Sequence, residues 1–290
     1  MTNELKRVDS NGRVYSRLAA VDKQYERLLI RLYFFSQSRF AKALAVARAC
    51  FTGLWLGVLA RERLHAVDEE YYSRSKRDSS DGYNYHSKEY NRRGLWDWEH
   101  RILTDYFAGC RRLLLIGAGG GREVLALQRL GYRVDGFESH PDLVLAANEL
   151  LRAEGQDATV QLAPRDRSPN TGTTYDGIIL GWGAYTLVQG RRSRIALLQQ
   201  LRSQTRARCP ILLSFYYRLG TPWVYAIAAF VANTLRRVLG RESAEVGDWL
   251  VPNYVHYFAQ HEIVAELAEG GFDTIHYSTT GYGHAVGMAV

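Results

Sequence analysis

The stretch that decides the fold is LLLIGAGGGREVLAL, residues 113–127. An apolar run leads directly into a cluster of glycines, and a pattern with the period of a helix follows at once. Glycines let the backbone approach a ligand closely, and the amide groups at the start of a helix attract negative charge. The stretch therefore predicts a buried strand, a ligand-binding turn and a helix.

Strands and helices alternate from residue 111 onward, which is typical of a parallel sheet with crossover helices. The predicted strands of this series are RLLLIG, YRVDGFE, TVQLA, GIIL and ILLSF. Near the end, FDTIHYSTT and HAVGMAV are two strands with a short connection, which predicts an antiparallel addition at the sheet edge. A chain of 290 residues that is 47% hydrophobic can bury a full core around such a sheet.

The glycine spacing separates two classes of ligand. The dinucleotide fingerprint G-x-G-x-x-G would need glycine at position 122, where this chain has Arg122. Glu138 ends the second predicted strand, where an acidic side chain can accept hydrogen bonds from both hydroxyls of a ribose. A nicotinamide-dependent oxidoreductase also uses such an acid, so this function stays open on Glu138 alone.

The run LLLIGAGGG resembles motif I of the class I S-adenosylmethionine-dependent methyltransferases, and the similarity extends over roughly residues 83–290. It implies an α/β fold with a Rossmann-like, mostly parallel sheet, an antiparallel C-terminal strand and an N-terminal helical extension. It also implies S-adenosylmethionine as cofactor and methyl transfer to a nitrogen, oxygen or sulfur atom of a small aromatic, amine or lipid-like molecule. Leu115 departs from the acidic residue that many members carry at this position.

The resemblance also implies site residues. Those expected to bind the cofactor are Gly117, Gly119, Gly121, Glu138, Asp166, Tyr85 and Tyr90. The segment GWGAY stands where base-methylating members carry an Asn/Asp-Pro-Pro-aromatic motif, which argues against a nucleobase substrate. Those expected to bind the substrate are Trp182, Tyr185, Tyr254 and His256. Tyr185 and His256 are the predicted catalytic residues, because histidine titrates near neutral pH and can act as a base. No grouping of His, Cys and carboxylates in the sequence predicts a metal.

We predict an N-terminal helical cap over residues 1–80 and a methyltransferase domain over residues 81–290, with a lid-like insertion at about 216–253. The segment ALAVARACFTGLWLGVLA, residues 43–60, contains Arg48 as its only charge. It favours a buried packing or dimer helix, with peripheral contact to a membrane as the alternative. A membrane-docked, non-catalytic binding protein with the same fold therefore stays open as a third hypothesis.

Composition bounds the partners and the compartment. The net charge of +7 is scattered along the chain, so we expect a small-molecule acceptor and no nucleic acid. The cysteines Cys50, Cys110 and Cys209 have no close spacing, and the polar N-terminal segment is not followed by an apolar signal core. These features favour reduced thiols in the cytoplasm.

Overall fold

The computed structural model describes residues 28, 31–32, 39–75, 84–157, 159–218 and 222–290. The chain forms two compact units, Met1–Phe51 and Thr52–Val290. The second unit therefore begins well before the boundary expected near residue 80, and it contains a helix that the sequence assigned to the cap. Apart from residues 28 and 31–32, the helices expected before residue 39 lie outside the described residues.

The described secondary structure alternates as the sequence predicts from residue 111 onward. In chain order the elements are α1 (Arg39–Val58), α2 (Arg61–Ser75), α3 (Lys88–Asn91), α4 (Asp97–Tyr106), β1 (Arg112–Ile116), α5 (Arg122–Arg129), β2 (Arg133–Glu138), α6 (Pro141–Ala153), β3 (Val160–Leu162), β4 (Gly177–Leu180), α7 (Ala184–Leu187), α8 (Arg191–Arg202), β5 (Pro210–Phe215), α9 (Pro222–Val238), β6 (Asp248–Val251), β7 (Asn253–His256), α10 (Gln260–Glu269), β8 (Phe272–Ser278) and β9 (Gly283–Ala289).

The main sheet has seven strands in the order β3-β2-β1-β4-β5-β9-β8. The five strands from β1 to β5 pair in parallel, and β9 is antiparallel to both of its neighbours. The mostly parallel sheet with an antiparallel C-terminal strand is thereby confirmed. The pair β8–β9 lies at one edge of the sheet, as expected, with β9 between β5 and β8.

Helices cover both faces of the sheet, so its central strands are apolar along their whole length. Leu113, Leu114 and Leu115 are fully buried on consecutive positions of β1 and contribute to cores on opposite faces. This continuous run explains why β1 shows no alternation in the sequence. β1 ends at Ile116, and the glycine turn begins at the next residue.

The insertion expected at about 216–253 contains the helix α9 and the separate hairpin β6–β7. Small residues let the end of α1 approach α9 closely: a Cβ at Gly53 would lie 2.5 Å from the carbonyl oxygen of Ala228. A Cβ at Gly57 would lie 2.8 Å from a methyl carbon of Leu235. The hairpin in turn packs against α2 through β7.

Candidate active site

The glycine turn follows β1 directly and has a backbone that only glycine adopts without strain. Gly117 has φ of +74° and Gly119 has φ of +53°. A Cβ at Gly117 would lie 2.6 Å from the Cβ of Ala184, so the turn and α7 pack at a distance that excludes a side chain. At Gly119, by contrast, no described atom lies within 4 Å of a Cβ. The space above Gly119 is therefore an open cradle.

The next two glycines serve packing. A Cβ at Gly120 would lie 1.9 Å from the carbonyl oxygen of Tyr85, so this position holds the 84–91 segment close to the turn. Gly121 is the N-cap of α5, with φ of +94°, and its Cα faces Ala147 of α6. Gly121 is not among the described residues that line the cavity, whereas Gly120 is. The cofactor contact predicted for Gly121 is thereby corrected to helix packing, and Gly120 is the glycine that the sequence analysis missed.

Glu138 ends β2 beside the turn and is oriented by backbone amides. Its Oε2 accepts a hydrogen bond from the N–H of Gly119 (2.9 Å), and its Oε1 accepts from the N–H groups of Ser139 (2.7 Å) and His140 (2.9 Å). The residue is 8% exposed and lines the cavity. Since each carboxylate oxygen has two lone pairs, Oε2 retains one for a ligand hydroxyl.

The cavity opens at the carboxyl ends of β1, β2 and β4, where open α/β sheets bind ligands. It is a cleft of about 1020 Å³ when the solvent space at its mouth is included. Asp166 lines it beyond β3, with φ of +60°, and the Oδ2 of Asp166 lies 3.2 Å from the Nε2 of His65 in α2. The helix assigned to the cap thus forms part of the cavity wall.

A second α2 side chain, Asp68, ties this wall to its surroundings. One carboxylate oxygen of Asp68 accepts from the guanidinium of Arg165, and the other accepts from the amide of Asn253 in β7 (2.6 Å). Asp68 is only 3% exposed, and the guanidinium of Arg165 compensates the charge of its buried carboxylate. Asp68 therefore joins the loop after β3 to the β6–β7 hairpin.

Aromatic side chains form the opposite wall. Tyr85 and Tyr90 both line the cavity, with ring centroids 5.8 Å apart, and Tyr85 also contacts Trp182 (6.4 Å). The backbone N–H of Trp182 donates to the Oε1 of Glu123 (2.9 Å), which fixes the loop after β4. The structure thus brings Tyr85, Tyr90 and Trp182 together at the cavity.

Arg122, at the position of the missing fingerprint glycine, is buried below this wall. Its guanidinium makes two hydrogen bonds of 2.7 Å to Glu99 and one of 2.8 Å to Glu123. Burial disfavours the charge, but the two carboxylates outweigh it and raise the pKa of Arg122. The side chain therefore anchors the start of α5 to α4 as a permanent cation.

A smaller chamber of about 470 Å³ adjoins the cavity and shares Tyr72, Tyr85, Trp182 and Leu187 with it. Its remaining lining consists of Tyr71, Gly183, Thr186, Tyr216, Val251, Asn253, Val255 and Tyr282. None of the described residues that line it carries a charge. Burial raises the pKa of Tyr72, Tyr85 and Tyr282, so their phenols stay protonated at neutral pH.

The structure corrects the predicted role of Tyr185. Its side chain is fully buried, its ring stacks on Phe258 with centroids 5.2 Å apart, and its hydroxyl donates to the Oε2 of Glu266 (2.6 Å). Glu266 is in turn held by Arg194. Tyr185 therefore belongs to a buried ion-pair network, and it is not among the described residues that line either space.

The substrate contacts predicted for Tyr254 and His256 are corrected for a different reason, because side chains alternate between the two faces of a strand. Both lie on β7 and turn away from the chamber, whereas Asn253 and Val255 line it. The hydroxyl of Tyr254 donates to Asp248, and the Nδ1 of His256 lies 2.7 Å from the same carboxylate oxygen. Because His256 is fully buried, the structure gives it no access to a substrate.

Comparison with known proteins supports the fold. No protein-family model matches the chain, and no curated protein sequence matches it either. Among solved structures, a SAM-dependent methyltransferase from Methanosarcina mazei matches with a TM-score of 0.51 and 16% identity, covering 68% of this chain and 99% of that one. The chain has the Rossmann-like fold of the class I S-adenosylmethionine-dependent methyltransferases.

Two further structures agree with this assignment. A SAM-dependent methyltransferase from Clostridium acetobutylicum matches with a TM-score of 0.50 and 10% identity, covering 77% of this chain and 98% of that one. Magnesium protoporphyrin IX methyltransferase from Synechocystis, with bound S-adenosylhomocysteine, matches with a TM-score of 0.50 and 14% identity, covering 79% and 98%. At these identities the likeness concerns the fold alone.

Proposed function

We propose that this chain is an S-adenosylmethionine-dependent methyltransferase that methylates an amine nitrogen of a small molecule. The observation that carries the proposal is the cavity at the carboxyl ends of β1, β2 and β4. There the open cradle at Gly119 lies beside an oriented, partly unsatisfied carboxylate of Glu138. The fold supports the same function by analogy.

The residues of the cavity fit the proposed cofactor. When bound, S-adenosylmethionine supplies a methyl group on a cationic sulfur, which is an excellent leaving group. Glu138 would accept hydrogen bonds from the ribose, and Asp166 from the adenine amino group, while Gly119 gives the backbone room to approach. The faces of Tyr85 and Tyr90 suit the cationic end, because aromatic rings attract cations.

The adjoining chamber supports an amine as the acceptor. A hydroxyl or ammonium acceptor needs a base to remove its proton, but no His, Asp or Glu is among the described residues that line the chamber. The phenols of Tyr72, Tyr85 and Tyr282 stay protonated and can only donate a hydrogen bond to the acceptor or accept one from it. A neutral amine already has a free lone pair and needs no base before the attack.

The chamber also favours the neutral amine over its ammonium form. Removal from water lowers the pKa of an enclosed amine, because desolvation disfavours its charged form. Tyr72, Trp182 and Tyr282 surround this space, with the rings of Trp182 and Tyr282 5.3 Å apart. After transfer, the methylated ammonium releases a proton to water.

The cofactor half of the proposal is tested by calorimetric titration with S-adenosylmethionine and S-adenosylhomocysteine. Glu138→Ala removes a charge-assisted acceptor and should weaken binding by about ten- to a hundredfold. Glu138→Gln keeps one acceptor oxygen and should weaken it less. Glu149→Ala, an exposed glutamate of α6, is the matched control and should leave binding unchanged. Absence of binding by the unaltered protein would refute the function.

The acceptor half is tested by measuring S-adenosylhomocysteine formation with amines, phenols, thiols and carboxylates of matched size. We expect turnover with amines, and a rate that increases with pH as the free amine is deprotonated. Turnover of phenols or carboxylates in preference to amines would refute the acceptor class, while leaving cofactor binding intact.

A further inference from the structure

The end of α1 and the helix α9 carry large apolar side chains that are exposed. At the end of α1 these are Leu54 and Val58, which are 49% and 51% exposed. In α9 an apolar stripe with helical spacing runs through Trp223, Ile227, Phe230 and Val238, of which Phe230 and Val238 are 75% and 84% exposed. We call these two stripes the apolar face.

Where the two helices meet, glycines of α1 and alanines of α9 lie beside the larger Val231 and Leu235. Gly53 and Gly57, four positions apart, approach Ala228 and Ala232 of α9 so closely that no Cβ would fit at either glycine. Contact through small residues, with large apolar residues outward, is the packing pattern of helices in lipid. This arrangement points to lipid as the medium that covers the apolar face.

Length and charge narrow the choice further. Among the described helices, α1 is long and apolar enough to cross a bilayer, judged by length and composition alone, yet only 28% of its apolar window is buried. Within Thr52–Val290, the end of α1 and α9 contain no acidic residue, and their basic residues are Arg236 and Arg237 near the end of α9. Such a balance matches anionic headgroups, which attract juxtaposed Lys and Arg.

We propose that the apolar face binds the surface of an anionic lipid bilayer. The protein lies on the bilayer and does not span it, because α1 packs against α9 along one side and carries Arg48 near its middle. Partial insertion of the stripes supplies apolar contact, and the basic residues add electrostatic attraction. A second copy of the chain on this face would need an interface that tolerates basic residues on both partners.

The test is co-sedimentation of the full chain with vesicles. One set is phosphatidylcholine alone, and the other contains phosphatidylglycerol as about a third of the lipid. We expect binding to the anionic vesicles that weakens with added salt. The double variant Phe230→Gln/Val238→Gln should reduce partitioning by about tenfold or more. Arg237→Gln should reduce it by about fivefold on anionic vesicles only.

Matched controls separate the face from general effects. Leu145→Gln replaces a leucine of α6 that is 62% exposed, and Arg192→Gln replaces an arginine whose side chain is 91% exposed. Neither control should change partitioning. Circular dichroism and thermal unfolding should match the unaltered protein in all variants, which verifies that each variant folds whether or not the proposed function is correct.

Three outcomes would overturn the proposal. The first is the absence of co-sedimentation with anionic vesicles at low salt. The second is equal loss of partitioning in the Leu145→Gln control. The third is a stripe variant that converts a dimer to a monomer in sedimentation velocity without changing vesicle binding, which would make the apolar face a protein interface.

Discussion

Replacing Tyr185 by phenylalanine tests whether the residue after the fourth strand serves packing or chemistry. The change removes one hydroxyl that donates to Glu266 over 2.6 Å, and it leaves the stacked ring on Phe258 in place. Glu266 keeps its hydrogen bonds from the Nε and Nη2 of Arg194, so its charge remains paired. The loss is therefore one hydrogen bond to a buried charged group, about 2 kcal/mol of unfolding free energy.

Thermal and urea unfolding measure this loss. About 2 kcal/mol corresponds to a fall in Tm of about 4–8 °C for a domain of this size. Tyr175→Phe is the control, since the Tyr175 hydroxyl donates to Asp135 (2.8 Å) just before β4. Both variants should lose stability but retain the affinity for S-adenosylmethionine and the turnover number. A collapse of turnover in Tyr185→Phe with unchanged stability would refute the packing role.

Three further changes test other parts of the structure. Arg194→Met leaves the carboxylate of Glu266 buried and unpaired, so calorimetric unfolding should show a loss of about 3–5 kcal/mol. Gly120→Ala should weaken calorimetric cofactor binding and cost about 1–3 kcal/mol in urea unfolding, whereas Gly109→Ala, with no described atom within 4 Å of the new Cβ, should be neutral. Burial alone would raise the pKa of Glu262, but hydrogen bonds from His256, the backbone of Ala259 and Arg218 lower it to about 2. The stability that the ionised carboxylate contributes above about pH 4.5 should therefore be lost as the pH falls toward 2. Glu262→Gln should flatten that dependence in urea unfolding.

The sheet could be predicted from the sequence because its signals are local. The apolar run at 113–116, the glycines after it and the acid at 138 each depend on a few neighbouring residues. The apolar run and the glycines predicted the strand and the turn, and the spacing to Glu138 predicted that this acid ends the next strand. Arg122, at the position of the third fingerprint glycine, is buried between Glu99 and Glu123.

The residues behind the chamber could not be predicted because their direction depends on register. In NYVH the sequence shows two polar or aromatic candidates, Tyr254 and His256, on one side of the strand. The pattern alone does not say which side faces the ligand, and a shift of one position exchanges the two sides. In the structure Asn253 and Val255 line the chamber, whereas the side chains of Tyr254 and His256 contact Asp248. The sequence also could not separate the roles of Gly120 and Gly121, because the difference between them lies in the packing of Gly121 against Ala147.

Two segments outside the seven-stranded sheet are built alike: each connects an exposed apolar helix to residues that line the site. α1 continues through two residues into α2, whose Asp68 and Tyr72 line the cavity. α9 leads to the β6–β7 hairpin, which supplies Val251, Asn253 and Val255 to the chamber. Each segment thus joins an outward apolar helix to one wall of the site. The hydrogen bond between Asp68 and Asn253 connects these two walls directly.

If the apolar face binds lipid as we propose, contact with a bilayer acts on both walls at once. Anionic vesicles should then change the affinity for the acceptor in the unaltered protein, and Asn253→Ala should weaken that effect without abolishing vesicle binding. An acceptor affinity that is indifferent to vesicles would show that the apolar face and the site act independently.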